Sequence, residues 1–159
     1  MVSHDEKANA TLLVGLGNPI LGDDAAGWRV VERLQEEGLP EGVEAVCLAA
    51  GGLRLMETML GYAHVVVVDA FDTPEHPAGT VFTCPIEAVP APDAGHLNSS
   101  HDTSLPHALE MARRLGFPVP RRIDVVGIAA RVTLRLSEEL TPAIESAIPQ
   151  AQETVRRLL

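Results

Sequence analysis

Aromatic side chains are scarce. Three Phe, one Trp and one Tyr make up 3% of the sequence, so burial has to rest on Ala, Val, Leu and Ile instead of on stacked rings. Cysteine is almost absent: Cys47 and Cys84 stand far apart with no CxxC pair. That spacing fits reduced core thiols and argues against a disulfide framework or a structural zinc site. Lys7 is the single lysine, eleven of the twelve basic residues are Arg, and 22 acidic residues bring the formal charge to −10. Such a chain has no broad Lys-rich face for phosphates, which argues against nucleic acid as a partner. No apolar run approaches the roughly 20 residues that span a bilayer. Met1–Ala10 is polar and lacks the basic-then-apolar order of a signal peptide. The expectation is a cytoplasmic protein without a membrane partner.

What is present is a chain of 159 residues, 46% hydrophobic, enough for one domain with a real core. After a leader over residues 1–10, expected to be disordered, residues 11–159 read as alternating strand and helix. Thr11–Leu16 is an apolar run stopped by Gly17-Asn18-Pro19, the first strand. From Asp24 to Glu37 the apolar residues recur at helical spacing, with Asp23 or Asp24 available as cap and Gly38-Leu39-Pro40 as terminator. Val43–Leu48 and His64–Asp69 predict further strands, with a helix over Leu53–Leu60 between them. The unbroken valines of the third strand imply burial on both faces, as in a parallel sheet. Thr80–Cys84 predicts a short fourth strand, and Pro85–Ser100 is a long irregular segment with three prolines. A helix over Ser104–Leu115, a strand over Ile123–Ala129 and a terminal helix over Leu140–Leu159, interrupted near Pro149, complete the reading. The predicted fold is α/β: a single-domain, three-layer αβα sandwich around a twisted, mostly parallel five-stranded sheet.

In such folds ligands sit outside the carboxyl ends of the strands. Three polar clusters fall there: Asp23-Asp24 after the first strand, Asp69 with Asp72 at the end of the third, and His96 and Asn98-Ser99-Ser100-His101-Asp102 in the long loop. If the first and third strands are neighbours, Asp24 and Asp69 converge and the loop brings His101 over them. Two carboxylates and one imidazole suit a borderline divalent ion such as Ni, Zn or Mn and leave coordination positions open, as a working site needs.

Each residue also has a plainer reading. An Asp at a helix start is ordinarily a cap worth about 1 kcal/mol. A lone His in a polar loop is ordinarily solvated, and Asp72 and Asp102 read as turn or cap residues. Asp69 resists such a reading, because a carboxylate after four valines is costly to bury without a partner. Other chemistries fit less well. Gly15-x-Gly17 lacks the third glycine of a dinucleotide loop, since position 20 is Ile20, and two aspartates at the helix start repel a phosphate. Ser99, Ser100 and Ser104 lie near His101, but no GxSxG elbow is present.

Leu13-Val14-Gly15-Leu16-Gly17-Asn18-Pro19-Ile20-Leu21-Gly22-Asp23-Asp24-Ala25-Ala26-Gly27 resembles the GxGNxxxxDD/E-x-x-G opening motif of the nickel–iron hydrogenase maturation endopeptidases. Val68-Asp69-Ala70 is similar to that family's second metal-binding Asp, His101-x-x-x-Leu105 to its HxxxL histidine, and Val126-Gly127-Ile128 with Leu136 to Pro149 to its last strand and helix. The resemblance covers roughly residues 11–158. It implies an endopeptidase that removes a short C-terminal extension from the precursor of a hydrogenase large subunit after nickel insertion. Asp24, Asp69 and His101 would then be the metal-binding and catalytic residues, and the divalent metal would be nickel supplied by the substrate. Either the ion polarises the scissile carbonyl or activates a water, or Asp24 or Asp69 serves as base, an aspartic-type role.

Two stretches depart from the family pattern. Ala50-Gly51-Gly52-Leu53 stands where a DGGT-like segment is common, and Ala129-Ala130-Arg131 follows the last strand without the usual proline. The glycines and the metal triad persist, so the expected consequence is altered substrate recognition. Two rivals follow. One is a non-cleaving nickel-sensing module or chaperone for a large subunit. The other is a peptidyl-tRNA hydrolase, which shares the Gly15-Leu16-Gly17-Asn18-Pro19 opening but needs a Thr-Arg-His-Asn segment and a basic face that this chain lacks.

Overall fold

The computed structural model describes residues 7–89, 104–131 and 135–159. Strands β1 (Thr11–Leu16), β2 (Val43–Leu48), β3 (His64–Asp72), β4 (Val81–Pro85) and β5 (Arg122–Ala130) form one sheet in the order β2-β1-β3-β5-β4. The first four positions run parallel, and β4 closes one edge antiparallel to β5. Helices α1 (Ala26–Glu37), α2 (Gly52–Met59), α3 (Leu105–Arg114) and α4 (Pro142–Leu158) cover the two faces. This is the expected three-layer sandwich.

The valine run explains the layering. Side chains alternate across a strand, so Val65, Val67 and Phe71 enter one core with Leu55 and Met59 of α2 and Leu105 and Ala108 of α3. Val66, Val68 and Ala70 enter the other with Val30 and Val31 of α1 and Ile144 and Ile148 of α4. Because α1 leaves β1 on one face and α2 reaches β3 on the other, the chain reverses its winding between β1 and β3. Their carboxyl ends therefore border a crevice, the usual ligand position of a doubly wound sheet.

Most element ends shift by a residue or two from the sequence reading, and three departures go further. β3 continues past Asp69 to Asp72, because β5 keeps pairing with it as far as Asp72↔Ala130 after β1 has ended at Gly15↔Val68. The first helix is preceded by a separate 3-10 turn, Gly22–Ala25, and neither aspartate caps α1, whose N-cap is Ala25 without a side-chain bond. Finally, α4 runs through Pro149 without a break. The missing N–H costs up to about 3 kcal/mol in a helix interior, and the buried stripe Ile144, Ala147, Ile148, Ala151 and Val155 outweighs it. Ahead of β1, the Ala10 N–H donates to Lys7 O at 3.1 Å, and the Lys7 ammonium lies 4.9 Å from the centre of the Tyr62 ring.

Candidate active site

Glycine builds the β1 side of the crevice. At Gly17 the backbone has φ +140°, and a Cβ there would stand 2.2 Å from the carbonyl oxygen of Asp24. Only glycine tolerates both the conformation and the approach. The Gly17 N–H donates to Leu48 O at 3.1 Å, tying this loop to the end of β2. Asn18 then turns the chain by accepting the Ile20 N–H at 3.2 Å on its side-chain oxygen. The Asn18 N–H donates to Asp24 Oδ2 at 2.9 Å, which fixes the orientation of a carboxylate only 7% exposed. Behind it, a Cβ on Gly27 would lie 2.2 Å from Val68 O and 2.6 Å from Leu16 O, so the first turn of α1 rests directly on both strands.

Asp69 forms the β3 side. It lies one residue beyond the last β1–β3 pair, faces the α2/α3 layer with Val67 and Phe71 by alternation, and is fully buried. Its Oδ1 accepts the following Ala70 N–H at 2.9 Å. A carboxylate taken out of water requires such donors. In the next strand Asp69 pairs with Gly127, which pairs in turn with Phe82 of β4. The ring of Phe82 occupies the space a Gly127 side chain would need, since a Cβ there would meet it at 2.2 Å. Asp69, Gly127 and Phe82 thus form one row across this face of the sheet.

Asp24 and Asp69 are therefore brought to the same edge, at the β1/β3 reversal. His101 lies outside the described residues, as do His96, Asn98, Ser99, Ser100 and Asp102; the helix they precede, α3, packs on the face Asp69 occupies. Among the described residues no group of three or more His, Cys, Asp or Glu is placed to hold a metal ion. His64 instead pairs with Asp124 at 2.7 Å, and the His76 ring stacks on Phe82 at 5.9 Å.

The neighbouring Asp23 has a different task from the expected cap. Its Oδ1 accepts the Thr141 N–H at 2.7 Å and its Oδ2 accepts the Thr141 hydroxyl at 2.8 Å, so it holds the N-cap residue of α4. Sequence reasoning missed this, and no local signal carries it. Asp72 is exposed, with the Arg131 guanidinium at 3.7 Å. Both cysteines are free and half-buried. Burial, then Glu32, pushes the Cys47 thiol up to about 11 against a smaller opposing effect of Arg29, and burial raises Cys84 as well. Neither is a thiolate nucleophile at neutral pH.

A sequence model of the family described as hydrogenase maturation protease (HycI) matches residues 28–158, more than four-fifths of the chain. The chain belongs to this family. It is accordingly a protease, a hydrolase of peptide bonds. The matched span contains Asp69 and His101 and begins just after the opening glycine-rich motif. The chain is 32% identical over 145 residues to the hydrogenase 2 maturation protease of Escherichia coli (strain K12), covering 91% of this chain and 87% of that protein. It is 30% identical to the hydrogenase expression/formation protein HupD of Rhodobacter capsulatus, over 96% of this chain and 72% of the other. Among solved structures, the hydrogenase maturating endopeptidase HybD from E. coli superposes with a TM-score of 0.76 at 31% identity, covering 94% of this chain and 91% of that one.

Proposed function

We propose that this maturation protease removes a C-terminal extension from the precursor of a nickel–iron hydrogenase large subunit, and that Asp24, Asp69 and His101 grip the nickel that the precursor already carries. The single observation that supports this reading is the pair of buried carboxylates at the β1/β3 crevice, each oriented by a backbone N–H, in a chain whose family is proteolytic. Carboxylate oxygens with an imidazole suit a borderline divalent ion and leave positions free for substrate atoms. Nickel is thus substrate, and its presence reports that loading is complete. Asp24 and Asp69 orient the bound precursor at the ion; one of them serves as base toward the attacking water, and the scissile carbonyl is polarised by the ion.

The acidic charge of −10 supports a protein partner over nucleic acid. No helix of the described residues is long and apolar enough to cross a membrane. With two free cysteines, this supports action in the cytoplasm.

The test is incubation with nickel-loaded precursor, followed by mass spectrometry. The wild type should release the C-terminal peptide from loaded but not nickel-free precursor. Asp69→Asn, which keeps an oxygen for the Ala70 N–H, should lower the rate at least about 100-fold, the scale of losing one positioned acid–base group, with an unchanged melting temperature. Binding without loss of mass would favour the non-cleaving module, and full activity of Asp69→Asn would remove the proposed site.

A further inference from the structure

Two strands away from Asp69, in the same row, Phe82 forms one wall of a cavity of about 320 Å³. Its other lining residues are Thr73, Glu75 and His76 from the turn after β3, Cys84 from β4, and Ala88. With strands about 4.8 Å apart, Phe82 lies roughly 10 Å from Asp69 along the row. The two are joined on the same face, because the Phe82 ring leans over Gly127 and packs against Phe71 of β3, centroid to centroid, at 5.5 Å.

The cavity has an apolar body and one unsatisfied polar group. Phe82, Cys84 and Ala88 supply carbon and sulfur surface, while Glu75 and His76 are exposed at its rim. Thr73 is 4% exposed, and its hydroxyl is the one buried side-chain oxygen or nitrogen without a hydrogen-bond partner among the described residues. Leaving a buried hydroxyl unpaired costs about 1–3 kcal/mol, so a partner arriving from the cavity is favoured. β4, which carries Phe82 and Cys84, is the edge of the described sheet. A strand at a sheet edge beside a side-chain pocket is the arrangement that binds an extended peptide, the edge taking main chain and the pocket taking a side chain.

We propose that this cavity is a substrate subsite of the protease, receiving one uncharged, largely apolar side chain of the precursor's extended tail while the tail runs past β4 toward Asp69. The occupant is a peptide because a protease must lay an extended chain across its site, and the cavity continues the row on which Asp69 stands. It is uncharged because the single buried polar group is a neutral hydroxyl, which cannot compensate a buried charge. This assignment rests on the proposed function for the identity of the tail but not for the existence of the peptide site.

The test is NMR of the full chain titrated with a synthetic peptide of the precursor's C-terminal extension and flanking residues, alongside kinetics on nickel-loaded precursor. Backbone amides of Thr73, Phe82, Cys84 and Ala88 should shift saturably. Ala88→Trp, at an exposed residue that lines the cavity, should abolish those shifts and raise KM at least tenfold with kcat little changed. Thr73→Val removes the unpaired hydroxyl at constant shape; it should leave or raise the melting temperature yet raise KM severalfold. A solely structural Thr73 would move the melting temperature and not KM. Amide shifts absent from this set, or unaltered by Ala88→Trp, would overturn the proposal, as would shifts that follow protein concentration instead of peptide, since these would mark pairing of β4 with a second copy. Shifts as expected without cleavage would retain the peptide site and reject the proposed function.

Discussion

At the scale of the residue, adjacent aspartates divide into separate tasks. Asp24 was legible because it closes a glycine-rich turn after a strand, and Asp69 because a carboxylate after four valines needs a reason to be buried. Asp23 was not legible, because its partner Thr141 lies 118 residues away in sequence. Its two bonds make a prediction. Asp23→Ala leaves the Thr141 N–H and the start of α4 without their acceptor, at a cost of about 1–3 kcal/mol. The melting temperature should fall by roughly 3–10 °C in thermal unfolding, and an unchanged value would contradict the structural role. The thiols make another. Burial pushes the Cys47 thiol up from its ordinary 9.0 to about 11, and Tyr62 is pushed up to about 12 by burial and by the hydrogen bond it donates to Glu44. Both groups are held in their protonated forms by the fold. Their contribution to stability is therefore complete below their ordinary values and lost as pH rises through the folded ones. Urea unfolding should show stability falling between about pH 9 and 12, and alkylation of the folded protein at pH 8 should be slow. Flat stability over that range, or rapid alkylation, would contradict the assignment.

At the scale of the element, periodicity was enough to locate all five strands and four helices, because each buries a face whose spacing is written locally. Their ends were not written there. The length of β3 depends on how far β5 accompanies it, and the passage of α4 through Pro149 depends on the stripe buried beneath it. The antiparallel sense of β4 follows from its place at the edge beside β5, which no local pattern encodes. Close packing at the crevice is equally nonlocal, and it can be tested by a single methyl group. In Gly27→Ala the new Cβ would meet Val68 O at 2.2 Å and Leu16 O at 2.6 Å, both backbone atoms that cannot swing aside. α1 would have to lift from β1 and β3, with a destabilisation of about 1–3 kcal/mol or more. Processing should be lost with it, since Asp24 is carried by the turn that leads into this helix. A variant with native stability would show that α1 does not rest on the strands as described.

At the scale of the whole molecule, a low-aromatic, acidic chain folds into a sandwich whose winding reverses once, and that reversal collects residues distant in sequence at one edge. The family match over residues 28–158 and the superposition on HybD agree with that architecture. The third expected ligand, His101, precedes α3, which packs on the face of the sheet that Asp69 occupies. The most direct measurement is anomalous diffraction at the nickel edge from crystals of the full chain soaked in Ni²⁺. The expected result is one strong peak within about 2.0–2.2 Å of a carboxylate oxygen from each of Asp24 and Asp69 and of an imidazole nitrogen of His101. A nickel peak bound elsewhere, with the two carboxylates touching no ion, would contradict it.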